Sequence, residues 1–137
     1  MNLRKNMKAL TLLITLFAFV LIACQTAPTT NGASEIKQAT VQETSEAVKK
    51  DGVQFVDVRT PDEFKTGRAA TAKNMPLETF EKDLASLDKE KPVYVICQTG
   101  RRSQIASERN KKAGFKSIFN VTGGTSAWTG ANLPIEK

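Results

Sequence analysis

Pro92-Val93-Tyr94-Val95-Ile96-Cys97-Gln98-Thr99-Gly100-Arg101-Arg102-Ser103 is the stretch on which the reading of this chain turns. Its first five residues form a short apolar, β-rich run that reads as a buried strand. Gln104 to Ala113 reads as a helix, with Ser103 predicted as its N-cap and Gly114 as its stop. A strand, a tight loop and a helix N-terminus therefore meet at one sulfur. Backbone N–H groups in such a loop can converge on an anion, and the helix dipole adds partial positive charge. Arg101 and Arg102 add full charges. All three effects favour thiolate over thiol at Cys97.

The 137 residues include no histidine. No imidazole base and no Cys–His pair can activate the sulfur. A nucleophilic Cys97 must be made acidic by N–H donors and arginines alone, which suits a thiolate whose product is also anionic, such as a persulfide. The plain alternative is a small apolar residue at a strand end. The Gly, two Arg and Ser that follow favour the nucleophile.

The chain around this loop alternates strands and helices. Thr40-Val41-Gln42-Glu43 has capping-box spacing and predicts a helix ending near Gly52. Val53 to Val58 reads as a central strand. Thr60-Pro61-Asp62-Glu63 is a second capping box, with Pro61 suited to the first helical position and a stop near Gly67. Lys73 to Met75 reads as a short strand, and Leu77, Phe80, Leu84 and Leu87 stand at helical spacing. Ser117 to Val121 is predicted as the last strand and Gly124 to Thr129 as a short helix. This alternation implies an α/β domain with a central, mainly parallel sheet and helices on both faces. Ligands of such sheets bind at the carboxyl ends of strands, where Cys97, Asp57 and Arg59 are all expected.

The loop Cys97-x-x-Gly100-x-Arg102 followed by Ser103 resembles the active-site loop of rhodanese-family sulfurtransferases. Asp57-Val58-Arg59 with Glu63-Phe64, Asn74-Met75-Pro76-Leu77, Gly123-Gly124 with Trp128, and Leu133-Pro134 are similar to further segments of that family, in its order. The likeness runs from about Ala39 to Ile135. One position departs from it: Gly67-Arg68-Ala69 stands where the family usually has Gly-His-Ile. The resemblance implies a rhodanese-like fold and a sulfur-transfer reaction through a Cys97 persulfide. It also implies a small-molecule sulfur donor such as thiosulfate, and a thiol or cyanide acceptor. No organic cofactor or metal is implied. Gln98, Thr99, Gly100, Arg101, Arg102 and Ser103 then form the substrate loop. Arg102 holds the family's arginine position and is the expected anion contact. Arg101 is either a rim cation or solvent-facing. Ser103 is expected first as a cap and then as a persulfide contact. Asp57 and Arg59 are expected to orient neighbouring loops, and Trp128 to sit in the core.

The N-terminus carries an address. Arg4, Lys5 and Lys8 precede an apolar run from Ala9 to Ala23. At ~1.5 Å per residue that run spans roughly 22 Å, short of a ~30 Å hydrocarbon core, so residues 1–23 read as a signal peptide. Leu21-Ile22-Ala23-Cys24 resembles the bacterial lipobox, which implies acyl chains on Cys24 at a new N-terminus. Residues 24–38 are then the lipidated end and a flexible tether, most marked over Gln25 to Glu35, and 39–137 the folded domain. The expected location is the cell envelope, on the outer membrane or the outer face of the cytoplasmic membrane. Gln25 rather than Asp after Cys24 favours the outer membrane where there are two.

Three of the 20 basic side chains and none of the 14 acidic ones lie in residues 1–23, so the net +6 falls to +3 after cleavage. No basic stripe with interleaved aromatics suggests nucleic acid, and no His/Cys cluster suggests zinc. Two rival functions remain in view. Phosphatase chemistry on a cysteine needs a Cys-x5-Arg cradle, whereas Arg102 closes a Cys-x4-Arg loop sized for a single sulfur. A non-catalytic binding or sensing module at the envelope is the other.

Overall fold

The computed structural model describes residues 34–137. Strands β1 (Ile36–Ala39), β2 (Gln54–Asp57), β4 (Lys73–Asn74), β5 (Val93–Ile96) and β6 (Ile118–Val121) form one sheet in the order β1-β6-β5-β2-β4. Every pairing in it is parallel. β3 (Arg68–Ala69) and β7 (Ile135–Glu136) form a separate antiparallel ribbon. The helices are α1 (Val41–Ala47), α2 (Pro61–Thr66), α3 (Phe80–Asp83, continued by a 3-10 turn over Leu84–Ser86), α4 (Arg101–Lys112) and α5 (Gly124–Gly130). The expected α/β architecture is the observed one.

Strand alternation divides the core into two layers. Val56, Val93, Val95 and Ile118 pack with Phe80, Ala106 and Phe115 beneath α3 and α4. Phe55, Ile96 and Val121 face the other way, against Val41 of α1 and Trp128 of α5. Trp128 is buried, and its indole N–H donates to the Pro134 carbonyl at 2.9 Å. Both capping boxes form, on Thr40 with Glu43 and on Thr60 with Glu63.

Several boundaries differ from expectation, each for a local reason. The folded unit starts before residue 39: Ile36 to Gln38, expected in the tether, form with Ala39 the edge strand β1 in register with Ile118 to Val121. Its sequence IKQA is too short and polar to signal a strand. Signal peptide, Cys24 and the tether up to residue 33 lie outside the described residues. The helix expected from Leu77 begins only at Phe80, because the Leu77 N–H is bound to the Val58 carbonyl at 3.1 Å and the segment still follows β2. Arg68 in place of the family histidine belongs to the β3–β7 ribbon. It pairs with Glu136 at 3.4 Å and lies over the Phe64 ring at 4.9 Å.

Candidate active site

β5 ends at Ile96 and delivers Cys97 to the carboxyl edge of the sheet, as the strand–loop–helix reading requires. Gly100 takes φ +101 and turns the chain so sharply that α4 starts at Arg101, with Gly100 itself as the N-cap. The loop proper is only Gln98, Thr99 and Gly100. Ser103 is therefore not a cap. It sits in the first turn of α4, fully buried, with its hydroxyl facing the sulfur. The side chain is drawn inward by two partners, Cys97 Sγ at 3.4 Å and Asn120 Oδ1 at 2.6 Å.

Cys97 is 1% exposed and lies on the floor of this loop. Its Sγ accepts a hydrogen bond from the Gly100 N–H at 3.1 Å. Burial alone pushes the thiol up. The Ser103 hydroxyl, when its proton turns to the sulfur, and the backbone N–H groups of Ser103, Thr99 and Gly100 pull it down further, below its ordinary value. These donors give the site its preference for a sulfur anion, and the Arg102 charge interacts favourably with the thiolate.

The two arginines divide differently from the sequence expectation. Arg102 grips Glu63 in a two-pronged ion pair, Nη1 to Oε2 at 2.7 Å and Nη2 to Oε1 at 2.6 Å. That pairing holds the Glu63 carboxyl down at about 2 and raises Arg102 above its usual value. Glu63 thus serves twice, as capping residue of α2 and as the counter-charge that ties α2 to the loop. Arg101 is exposed and makes no ion pair among the described residues. Its side chain faces solvent. Arg102 also lines a groove of about 300 Å³ with Val58, Thr60, Pro61, Pro76 and Leu77; Cys97 does not reach it.

Asp57 and Arg59 form a buried pair, 2.7 Å between Nη2 and Oδ2. Arg59 also donates to the Gly67 carbonyl at 2.8 Å and to Gln98 Oε1 at 3.4 Å. Gln98 in turn donates to Ser126 Oγ at 2.9 Å. The pair therefore anchors the loop from one side, with the Gln98 side chain as a brace. Thr99 is exposed. From the other side α5 holds the loop, with Thr125 N–H on the Cys97 carbonyl at 2.8 Å and Ser126 N–H on the Gln98 carbonyl at 3.1 Å. A methyl on Gly124 would stand 2.3 Å from the Cys97 oxygen, so only glycine permits this approach. The Gly123-Gly124 pair was legible as a motif, but its purpose required the packing. Glu63 and Asn120 were missed as site residues. The reach of Glu63 to an arginine 39 positions away has no local signature.

Comparison with known proteins agrees with this fold. The rhodanese-like domain profile matches residues 40–131. The chain is 33% identical over 99 residues to the Bacillus subtilis protein YrkF, covering 72% of this chain and 54% of that one. It therefore spans about half the length of that relative. The thiosulfate sulfurtransferase GlpE of Vibrio cholerae is 34% identical over 82 residues, 60% of this chain and 77% of GlpE. The polysulfide-sulfur transferase of Wolinella succinogenes superposes with a TM-score of 0.66 at 32% identity, over 74% of this chain and 78% of that one. A parallel five-stranded sheet, a cysteine opening a three-residue loop at the carboxyl end of β5, and a matching profile over most of the folded residues make this chain a member of the rhodanese-like family, related to its sulfurtransferases.

Proposed function

We propose that the chain is a sulfurtransferase in which Cys97 carries sulfur as a persulfide. The observation that supports this most directly is the inward convergence of the Gly100, Thr99 and Ser103 donors on Sγ. The Cys97 thiolate attacks the outer sulfur of a donor such as thiosulfate. The S–Sγ bond forms, the donor's S–S bond breaks, and sulfite leaves with the electron pair. Cys97 then bears a terminal sulfur with one negative charge. An acceptor nucleophile, cyanide in an assay or a thiolate in the cell, takes that sulfur and restores the Cys97 thiolate. No proton moves in either half, so a chain without histidine is adequate. Fixed N–H dipoles stabilise the sulfur anion in both states. Arg101 draws the anionic donor to the rim, while Arg102 with Glu63 keeps the loop shut against α2. GlpE, named a thiosulfate sulfurtransferase, and the Wolinella polysulfide-sulfur transferase support the donor class.

Treatment with thiosulfate should add the mass of one sulfur atom to the Cys97 peptide, and cyanide should remove it as thiocyanate. Cys97→Ser should lose both the adduct and the turnover. Normal turnover by that variant would end the assignment. The proposed setting is extracytoplasmic, with the domain held to a membrane through acyl chains on Cys24. Membrane fractionation with acyl labelling of wild type and Cys24→Ala tests this. Equal membrane association without label on either form would exclude the lipid anchor.

A further inference from the structure

The Ser103 hydroxyl has one proton and two acceptors in reach. Asn120 Oδ1 at 2.6 Å is much the closer; Cys97 Sγ lies at 3.4 Å. Asn120 cannot easily exchange the ends of its amide, because its Nδ2 donates to Gln38 Oε1 at 2.9 Å. Gln38 Nε2 donates onward to Gln104 Oε1 at 3.0 Å, and Gln104 Nε2 to Glu108 Oε1 at 3.2 Å. A carboxylate can only accept. Glu108 at the surface end therefore orients each amide in the row, and the last consequence is a Ser103 O–H directed at Asn120. If the hydroxyl turns to a Cys97 thiolate, Asn120 Oδ1 loses its donor at a residue only 4% exposed.

We propose that Asn120, oriented by Gln38, is a positioning residue that holds the Ser103 proton away from Cys97 and so favours the form of the site in which Sγ itself carries no charge. On the sulfurtransferase reading, on which this consequence rests, that form is the persulfide, whose charge sits on the outer sulfur. The row of amides then biases the protein toward its sulfur-loaded state and sharpens the difference between the two halves of the cycle. The charged groups around Cys97 are the Arg102–Glu63 pair from α4 and α2 and the Arg59–Asp57 pair at the end of β2, with the solvent-exposed Arg101 at the start of α4. None belongs to the row, and all stay unchanged when it is cut.

The test cuts it at Gln38, an exposed residue of the edge strand whose loss leaves the core intact. Full-length wild type, Gln38→Ala, Ser103→Ala and the double variant are alkylated with iodoacetamide across a pH series. The reaction is read at the Cys97 peptide by mass spectrometry. Gln38→Ala frees the Asn120 amide to turn over and donate to Ser103. The Cys97 apparent pKa should then fall by about half a unit, a roughly threefold faster alkylation below that pKa. In the Ser103→Ala background the same change should do nothing. No shift, a rise, or an equal fall in both backgrounds would overturn the proposal, since a general loosening of β1 does not depend on Ser103. Alkylation requires no turnover. A failed cycle with an intact thiosulfate adduct removes this inference alone, and a successful cycle without an adduct removes the sulfurtransferase reading instead.

Discussion

Glu63→Gln removes one charge and little else. Glutamine keeps an acceptor oxygen for the Thr60 N–H, so the capping box of α2 persists in outline. What goes is the ion pair with Arg102. The Glu63 carboxyl is lowered from 4.5 to about 2, chiefly by that pairing. Fully enclosed, such a depression would correspond to about 3 kcal/mol. With side-chain exposures of 33% for Arg102 and 36% for Glu63, solvent screening reduces this. A realistic loss is about 1.5 kcal/mol at pH 7, or roughly 6 to 10 °C in Tm for a domain of this size. The folded value lies below the unfolded one, so the contribution is complete above 4.5 and disappears as pH falls toward 2. At pH 3 less than half should remain. Urea unfolding of both proteins at pH 7, 5 and 3 measures it. In an Arg102→Ala background Glu63→Gln should add almost nothing. Equal stability at pH 7, or a gap undiminished at pH 3, would refute the assignment of the ion pair as the cause.

Gly124→Ala places a methyl 2.3 Å from the Cys97 carbonyl at φ +57 and should cost ~3 kcal/mol or more. Sulfur transfer should be lost with it, while Gly130→Ala, with open space around its Cβ position, serves as the neutral control in the same melts and assays. Ser107→Ala should stabilise the domain by roughly 1 kcal/mol in urea unfolding, because its fully buried hydroxyl has no partner and alanine is the better helix former. Arg101→Gln should raise KM for thiosulfate several-fold with a smaller change in kcat, and should flatten the dependence of kcat/KM on ionic strength.

The parts of this molecule that repeat on a short period were readable before any coordinates. Val93 to Ile96 and Val53 to Val58 are β-rich runs, and Thr40 with Glu43 and Thr60 with Glu63 announce helix starts through side chains three residues apart. Cys97 was readable too, because a glycine, two arginines and a serine follow it. The errors come from contacts that span the chain. Ser103 has the chemistry of a cap, yet Gly100 reached a positive φ first and left the serine to face inward. Ile36 to Ala39 become a strand only because β6 offers an open edge. Arg102 carries the family's arginine, but the partner that occupies it is the capping glutamate of another helix. Neither the β3–β7 ribbon nor Asn120 has a pattern long enough to be seen in advance.

The hold of α5 on the loop has a consequence for where the anion cradle is encoded. A trans peptide is a rigid plate, with its oxygen and its hydrogen on opposite edges. Thr125 pins the oxygen of the plate between Cys97 and Gln98, and Ser126 pins the oxygen of the next plate. Each pin therefore aims a hydrogen, those of Gln98 and Thr99, away from α5, and the Thr99 hydrogen is one of the donors to Sγ. One of the dipoles that greet a sulfur anion is thus aimed by the first turn of a helix nearly 30 residues downstream, whatever side chains the loop carries. An engineer who redraws Thr99 leaves the cradle standing. One who lengthens the turn between β6 and α5 takes it apart without touching a residue beside the sulfur.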